Sequence, residues 1–277
     1  VEHMATDNNL RFTTIRKSKV VIHCCASPED GESVNSYIVE TDGRLVIIDA
    51  MLLRPYAREL RNYANNLGKP IERVIVTHSH PDHFFGIEFF QDVDVYALPE
   101  TIEEIKILGP LALNFHGGRH GEAVVDRLYF PNRTIGEGEI LIDGVTFRLS
   151  KIVAAEDVYM IAIELPDERI LLAQDLLYNK MHLFVGQRSE DGTLCFDGWI
   201  AALQQFGAVG YDLVLPGHGL PAAASIFQEN ISYLKAVRDI LAVSTGETFV
   251  KNVLDAFPEY ELASMVEFSN FFLFIMK

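Results

Sequence analysis

The chain has 277 residues, 49% of them hydrophobic, which suits one globular domain with a sizeable core. Its formal charge of −16 argues against a nucleic-acid backbone or an anionic membrane as partner, since both would be repelled, while acidity alone names no substrate. Cys24, Cys25 and Cys195 are odd in number and two are neighbours, so no disulfide framework is expected and a reducing cytoplasm is the default compartment.

Val1-Glu2-His3-Met4 shows no charged-then-apolar leader pattern and reads as residues ahead of the native start. Strands are expected over Lys19 to Cys24, Ser36 to Glu40 and Leu45 to Asp49, the last two joined by an Asp42-Gly43 hairpin turn. A helix follows, with Pro55 in its first turn, Gly68 after its last, and Tyr56, Leu60, Tyr63, Ala64 and Leu67 on its apolar face. The strand from residue 73 to 77 then delivers Thr77-His78-Ser79-His80-Pro81-Asp82-His83.

That heptapeptide dominates the reading. Three imidazoles and a carboxylate where a buried strand ends make a poor core and a good metal site. His78 and His80, two apart on extended chain, should project to the same side, with Asp82 and His83 reaching round from the turn beyond. Neutral imidazole suits zinc and similar divalent ions, and carboxylate adds negative charge.

Phe84 to Phe90 reads as a short helix and Val93 to Leu98 as a strand. Ile102, Ile105 and Leu108 start another helix, which Gly109-Pro110 should break, leaving Asn114 to Gly121 as a flexible loop. The second half repeats the first in outline. Residues 139–142 and 145–149 form a hairpin about Asp143-Gly144, residues 160–165 and 170–173 another, and a helix from Trp199 to Phe206, capped by Asp197, leads to the strand 213–215. Two such halves predict two packed sheets with helices outside.

From Ser225, which with Gln228 fits a capping box, Ile231, Leu234, Val237 and Leu241 continue at helical spacing, and a further helix should run from Thr248 to Phe257. The apolar run Phe271 to Met276 falls far short of the ~20 residues that span a bilayer. It suits core, a lid, or the interface of a homodimer.

His78-Ser79-His80-Pro81-Asp82-His83 resembles, without a gap, the histidine signature of the metallo-β-lactamase superfamily. Asp49 resembles the family's first acidic motif, which orients the histidine loop. Asp175, in Leu172-Ala173-Gln174-Asp175, resembles the carboxylate that bridges two metals, and His218, in Pro216-Gly217-His218-Gly219, the last histidine ligand. The resemblance spans about residues 35 to 222 and implies a four-layer αββα sandwich. The chain is then one domain over 1–277, with a core of about 15–222 and a helical extension, 223–277, packed on it.

One position departs from the family. Where a histidine is usual, this chain has Ala154-Ala155-Glu156-Asp157-Val158, and counting back from Pro166 puts Glu156 at the ligand position. The alkylsulfatase-like members use glutamate near here; Asp157, or a metal-poor first site, are the alternatives. The resemblance then assigns His78, His80 and Glu156 to one ion and Asp82, His83 and His218 to the other, with Asp175 between. Zinc is the first expectation, and the extra carboxylate gives manganese or iron some advantage.

The implied activity is that of a dinuclear metal-dependent hydrolase whose metal-bridging hydroxide attacks an ester-like or lactone substrate. Asp82 would also steer the proton of the water, and Tyr178 resembles a tyrosine that lactonases of the superfamily place against the substrate carbonyl. Sulfate-ester or phosphodiester hydrolysis on the same site, and a non-catalytic metal-binding role, are the alternatives. His116, His120 and His182 read as solvent-facing loop residues, His23 as strand packing, and Arg119 and Arg188 as candidates for meeting an anionic group.

Overall fold

A computed structural model describes residues 9–276, so the reading of Val1-Glu2-His3-Met4 lies outside the described residues. The first sheet has seven strands in chain order. β1 (Arg11–Arg16), β2 (Val21–Ala26), β3 (Asn35–Glu40) and β4 (Leu45–Ile48) are antiparallel, and β5 (Ile71–Ile75), β6 (Val95–Ala97) and β7 (Arg133–Thr134) continue in parallel. α1 (Arg54–Asn66) makes the crossover from β4 to β5; α2 (Pro81–Phe84) and α3 (Pro99–His120) follow. The second sheet has five strands. β8 (Gly138–Ile142), β9 (Val145–Val153), β10 (Tyr159–Leu165) and β11 (Ile170–Tyr178) are antiparallel, and β12 (Leu213–His218) lies parallel to β11.

Side-chain alternation sorts these strands into layers. Tyr37, Val39, Val46, Ile48 and Ile75 from the first sheet meet Phe147, Ile161, Ile163, Leu172 and Leu215 from the second in a core between the sheets. The outer face of the first sheet is covered by Tyr56, Ala57 and Leu60 of α1 and Ile105 of α3. The outer face of the second is covered by α4 (Phe196–Gly207), α5 (Ser225–Val243), α6 (Phe249–Ala256) and α7 (Ser264–Asn270). The result is the four-layer α/β sandwich that the sequence implied. Trp199 locks α4 to β11, its indole N–H donating to the Leu176 carbonyl at 2.9 Å.

Four local expectations fail. Asp197 lies inside the first turn of α4, whose N-cap is Cys195, and the N-cap of α5 is Ala224, so the Ser225 capping box does not form. His116 and His182 are buried, and His116 and His120 lie on a helix. Above all, α3 runs unbroken through Gly109-Pro110 and absorbs the expected loop. Pro110 withholds one donor from the Lys106 carbonyl, but both residues are exposed, so water can take the acceptor. Packing covers the cost: Thr101, Ile105 and Gly109 form one buried stripe, and Gly109 lets α3 approach Leu128, which an added Cβ would meet at 2.9 Å.

A solvent-facing helical proline that only withholds a donor should be replaceable. Pro110→Ala is expected to raise unfolding free energy by about 1 kcal/mol or more, read from the urea midpoint; a lowered midpoint would show that the bend itself is needed.

Candidate metal centre

The site forms where the carboxyl ends of β4, β5, β11 and β12 meet the loop between β9 and β10. Its first support is Asp49, fully buried just after β4 and held at φ 60°. The Asp49 carboxylate accepts the Thr77 N–H at 2.8 Å, the Thr77 hydroxyl at 2.7 Å, the Gln174 amide at 2.5 Å and His83 Nδ1 at 2.7 Å. A carboxylate only accepts, so His83 carries its proton on Nδ1 and turns Nε2 inward. The same logic fixes His218, whose Nδ1 donates to the Glu32 carbonyl at 2.9 Å. It fixes His78 too: its Nδ1 lies 3.0 Å from Thr77 Oγ1, whose own proton is given to Asp49.

Asp175 arrives by a different device. The β11–β12 pairing slips between Leu172 and Gln174 and again before Tyr178, and Gln174 takes φ 45°. Such a bulge re-aims the next side chain, and it swings Asp175 out of an otherwise apolar strand into the cleft. Gly217 makes room, since a Cβ there would meet Asp175 Oδ1 at 1.7 Å. Ala154, at φ 56°, opens the turn that presents Glu156.

The converging atoms form two overlapping groups. His78, His80, Glu156 and Asp175 each offer a ligand atom within 4.8 Å of the others, and so do Asp82, His83, Asp175 and His218. In the first, Glu156 lies 3.5 Å from His78 Nε2 and 3.1 Å from His80 Nδ1. In the second, His83 Nε2 is 3.1 Å from Asp175 Oδ1 and 3.4 Å from Asp82 Oδ2, while His218 Nε2 is 3.2 Å from Asp175 Oδ2. Asp175 belongs to both. Asp157, the alternative ligand, is turned away: its Oδ2 accepts the Ser79 N–H at 2.9 Å and the Ser79 hydroxyl at 2.7 Å, clamping the histidine loop.

The donor set fits divalent cations. His78 Nε2, His83 Nε2, Asp82 Oδ2, Glu156 Oε2 and Asp175 Oδ1 are all buried with no hydrogen-bond partner. Buried polar atoms are ordinarily paired, and five unpaired ones spread over two groups that share Asp175 are the pattern that divalent cations would satisfy.

Buried carboxylates and imidazoles shift one another's titration across the site. Burial alone would depress His83 and His80, but carboxylates outweigh it: Asp175 and Asp82 raise His83, and Glu156 with Asp157 raise His80 to about 10. Burial pushes Glu156 up to about 7 against the pull of His80. For Asp175 burial is overcome by His83 and His218, which hold it well below the carboxylate range. Burial, reinforced by Asp175 and Glu156, keeps the Tyr178 phenol protonated, and it donates to Asp175 Oδ2 at 2.7 Å, with Glu156 Oε1 3.2 Å from the same phenol oxygen. A metal ion competes for these same carboxylates and would release the protons.

The sequence model of the metallo-beta-lactamase superfamily matches residues 30–223. The chain belongs to that superfamily. It is 24% identical over 248 residues to a linear primary-alkylsulfatase of Pseudomonas sp. (strain ATCC 19151), covering 76% of this chain and 46% of the relative. It spans less than two thirds of the length of the curated relatives it matches. Among solved structures, a metallo-beta-lactamase from Pontibacter korlensis superposes with a TM-score of 0.60 at 22% identity, covering 82% of this chain and 99% of its own. Another, from Pseudomonas aeruginosa in a mono-zinc form, gives 0.59 at 17% identity, covering 84% and 98%.

For this metallo-beta-lactamase-superfamily chain, the histidine loop, Asp49, Asp175 and His218 meet as the motif order implied, and Glu156 points into the same cleft. Sequence reasoning missed the residues that hold them: Thr77, Gln174 and the Glu32 carbonyl. Gln174 had a visible signal, a polar side chain beside Asp175 in the apolar run of β11; Glu32 had none. Other histidines sit apart from the centre. His23 is strand packing, between Tyr63 Oη and Glu40 at 2.8 Å each, and His182 pairs with Tyr233 Oη at 2.9 Å. Arg188 donates to the Gly192 carbonyl.

Asp49→Asn keeps shape but removes the carboxylate charge from His83 and one pairing option for Thr77. Metal affinity is expected to fall about 10- to 100-fold with the fold retained, measured by competition with a chromophoric chelator.

Proposed function

We propose that the chain is a metal-dependent hydrolase, dinuclear when loaded, acting on an ester-like or lactone substrate. The observation that carries this reading is the pair of buried donor groups sharing Asp175, with five of their atoms unpartnered. His78, His80 and Glu156 would hold one ion, Asp82, His83 and His218 the second, and Asp175 both. Zinc is the first choice for so imidazole-rich a set, with manganese or iron favoured somewhat by the extra carboxylate. Bound there, the ions would supply Lewis acidity, lowering a water's pKa toward neutrality and polarising the bond under attack.

The chain's own residues do the rest. Asp82, buried beside His83 at 3.4 Å and His218 at 3.5 Å, would take or steer the attacking water's proton on its carboxylate. Tyr178 has its hydroxyl proton engaged by Asp175 and its ring stacked on His218, with centroids 4.7 Å apart. That geometry supports positioning of Asp175 and His218 over direct donation to a substrate oxyanion. Phe184 sets its edge against the His80 ring at 5.3 Å, and Phe272 packs on Phe184 at 5.4 Å. This aromatic wall suits a substrate with an apolar acyl or alkyl part. A net charge of −16 also favours an uncharged ester or lactone over a diffusing anion.

Sulfate-ester hydrolysis is the second reading. It draws on the alkylsulfatase relative and on Glu156, with Arg119 exposed nearby as a partner for an anionic group.

Asp82→Ala is expected to lose about 10²- to 10⁴-fold in kcat on the best substrate with the circular dichroism spectrum unchanged, and unchanged turnover would sink the hydrolase reading. Glu156→Ala should lose about one metal equivalent and Glu156→His retain it. A panel of lactones, carboxylic esters, sulfate esters and phosphodiesters, run with zinc, manganese and iron, separates the two readings; a folded protein that takes up no metal and cleaves none refutes both.

A further inference from the structure

Among the described residues, four buried histidine nitrogens lack a hydrogen-bond partner, and two of them, on His78 and His83, face the centre described above. The other two are His116 Nδ1 and His120 Nε2. His116 and His120 lie one turn apart on α3, so their side chains share a helix face. Their rings are parallel within 11° with centroids 6.0 Å apart. Across from them stands Glu32, which follows the tight turn after β2 and is held at φ 64° with 2% of its surface exposed. Ligand atoms of Glu32, His116 and His120 all lie within 4.8 Å of one another.

Glu32 is under-satisfied for a buried carboxylate. It accepts Arg119 Nη1 at 3.3 Å and Ser264 Oγ at 3.2 Å, both longer than the roughly 2.7–2.9 Å of a strong charge-assisted hydrogen bond. With about four lone-pair directions on a carboxylate, these two donors leave room for another. Asp82 adds further negative charge nearby, its field acting on both Glu32 and His116. Arg119 and His218 oppose that charge; the Arg119 guanidinium sits over the Phe268 ring at 5.3 Å and its side chain is 41% exposed.

We propose that Glu32, His116 and His120 form a separate binding site for a divalent cation of the zinc class, distinct from the two donor groups that share Asp175. Two neutral imidazoles and one carboxylate are a competent set for such an ion and leave a coordination position open. The site has a structural consequence. The Glu32 carbonyl fixes His218, and α3 covers the histidine loop, with the His116 ring 6.0 Å from Phe85. An ion clipped between Glu32 and α3 would therefore fasten the loop before β3 to the helix above the centre.

The test is metal stoichiometry on the full chain, by equilibrium dialysis against zinc followed by elemental analysis, with cobalt absorption as a second readout. The wild type is expected to bind about one equivalent more than His120→Ala. His120 is only partly buried, so that variant should fold, and His120→Gln, which preserves bulk, should lose the same equivalent. Asp175→Ala should keep the His120-dependent equivalent while losing metal from the main centre, so this proposal can fail or succeed independently of the hydrolase reading. Zinc should also raise the thermal midpoint of Asp175→Ala by more than that of the Asp175→Ala, His120→Ala double variant. Equal stoichiometry in wild type and both His120 variants would overturn the proposal and leave a water-filled polar contact.

Discussion

One buried carboxylate ties the two sheets together at the end where the donors meet. Asp49 rises from the end of β4 in the first sheet, takes the Thr77 backbone and hydroxyl just beyond β5 and His83 on α2, and reaches Gln174 of β11 in the second. A carboxylate in a dry interior is costly unless its lone pairs are filled, and here four donors fill them. The position of Asp49 therefore dictates the orientation of His83 and, through Thr77, of His78. Through Gln174 it also fixes the register of the residue beside Asp175. The cleft is the consequence of satisfying one charge.

Around that tie, the backbone departs from regular geometry where donors must turn. Asp49, Ala154 and Gln174 all take left-handed φ without being glycine, each at a cost of roughly 1–3 kcal/mol. Asp49 holds the histidine loop through Thr77 and His83, Ala154 opens the turn to Glu156, and Gln174 precedes Asp175. The apolar core between the sheets, together with the two helical layers, over-determines these conformations. Strain concentrated beside the donors and stability spread through the layers fit a site whose ligands must point inward before anything binds.

The C-terminal helices lie beyond the span matched by the superfamily, yet they touch the cleft. α5 contributes Asn230, whose side chain pairs with both the N–H and the carbonyl of Tyr178. Ser264 reaches Glu32, and Phe272 backs the Phe184 wall beside His80. Among the described residues no helix is long and apolar enough to cross a membrane, and the partly exposed Phe271 and Phe272 belong to this same aromatic surface.

The sequence by itself determined the layers and the donors. Period-two and helical patterning marked most of the strands and helices, because burial of one face is a local property that composition records. The six-residue histidine motif marked the metal chemistry because its donors are adjacent in the chain. Only the tertiary structure decided what depends on distant partners. Pro110 passes inside a helix because packing of the opposite face outweighs a missing donor that solvent can replace. Asp157 serves as a clamp on Ser79 while its neighbour Glu156 faces the cleft, a choice made by one peptide turn at Ala154. Glu32 meets His116 and His120 across more than eighty residues of chain, a proximity that no periodicity encodes, since it arises from two sheets and a helix closing on one another.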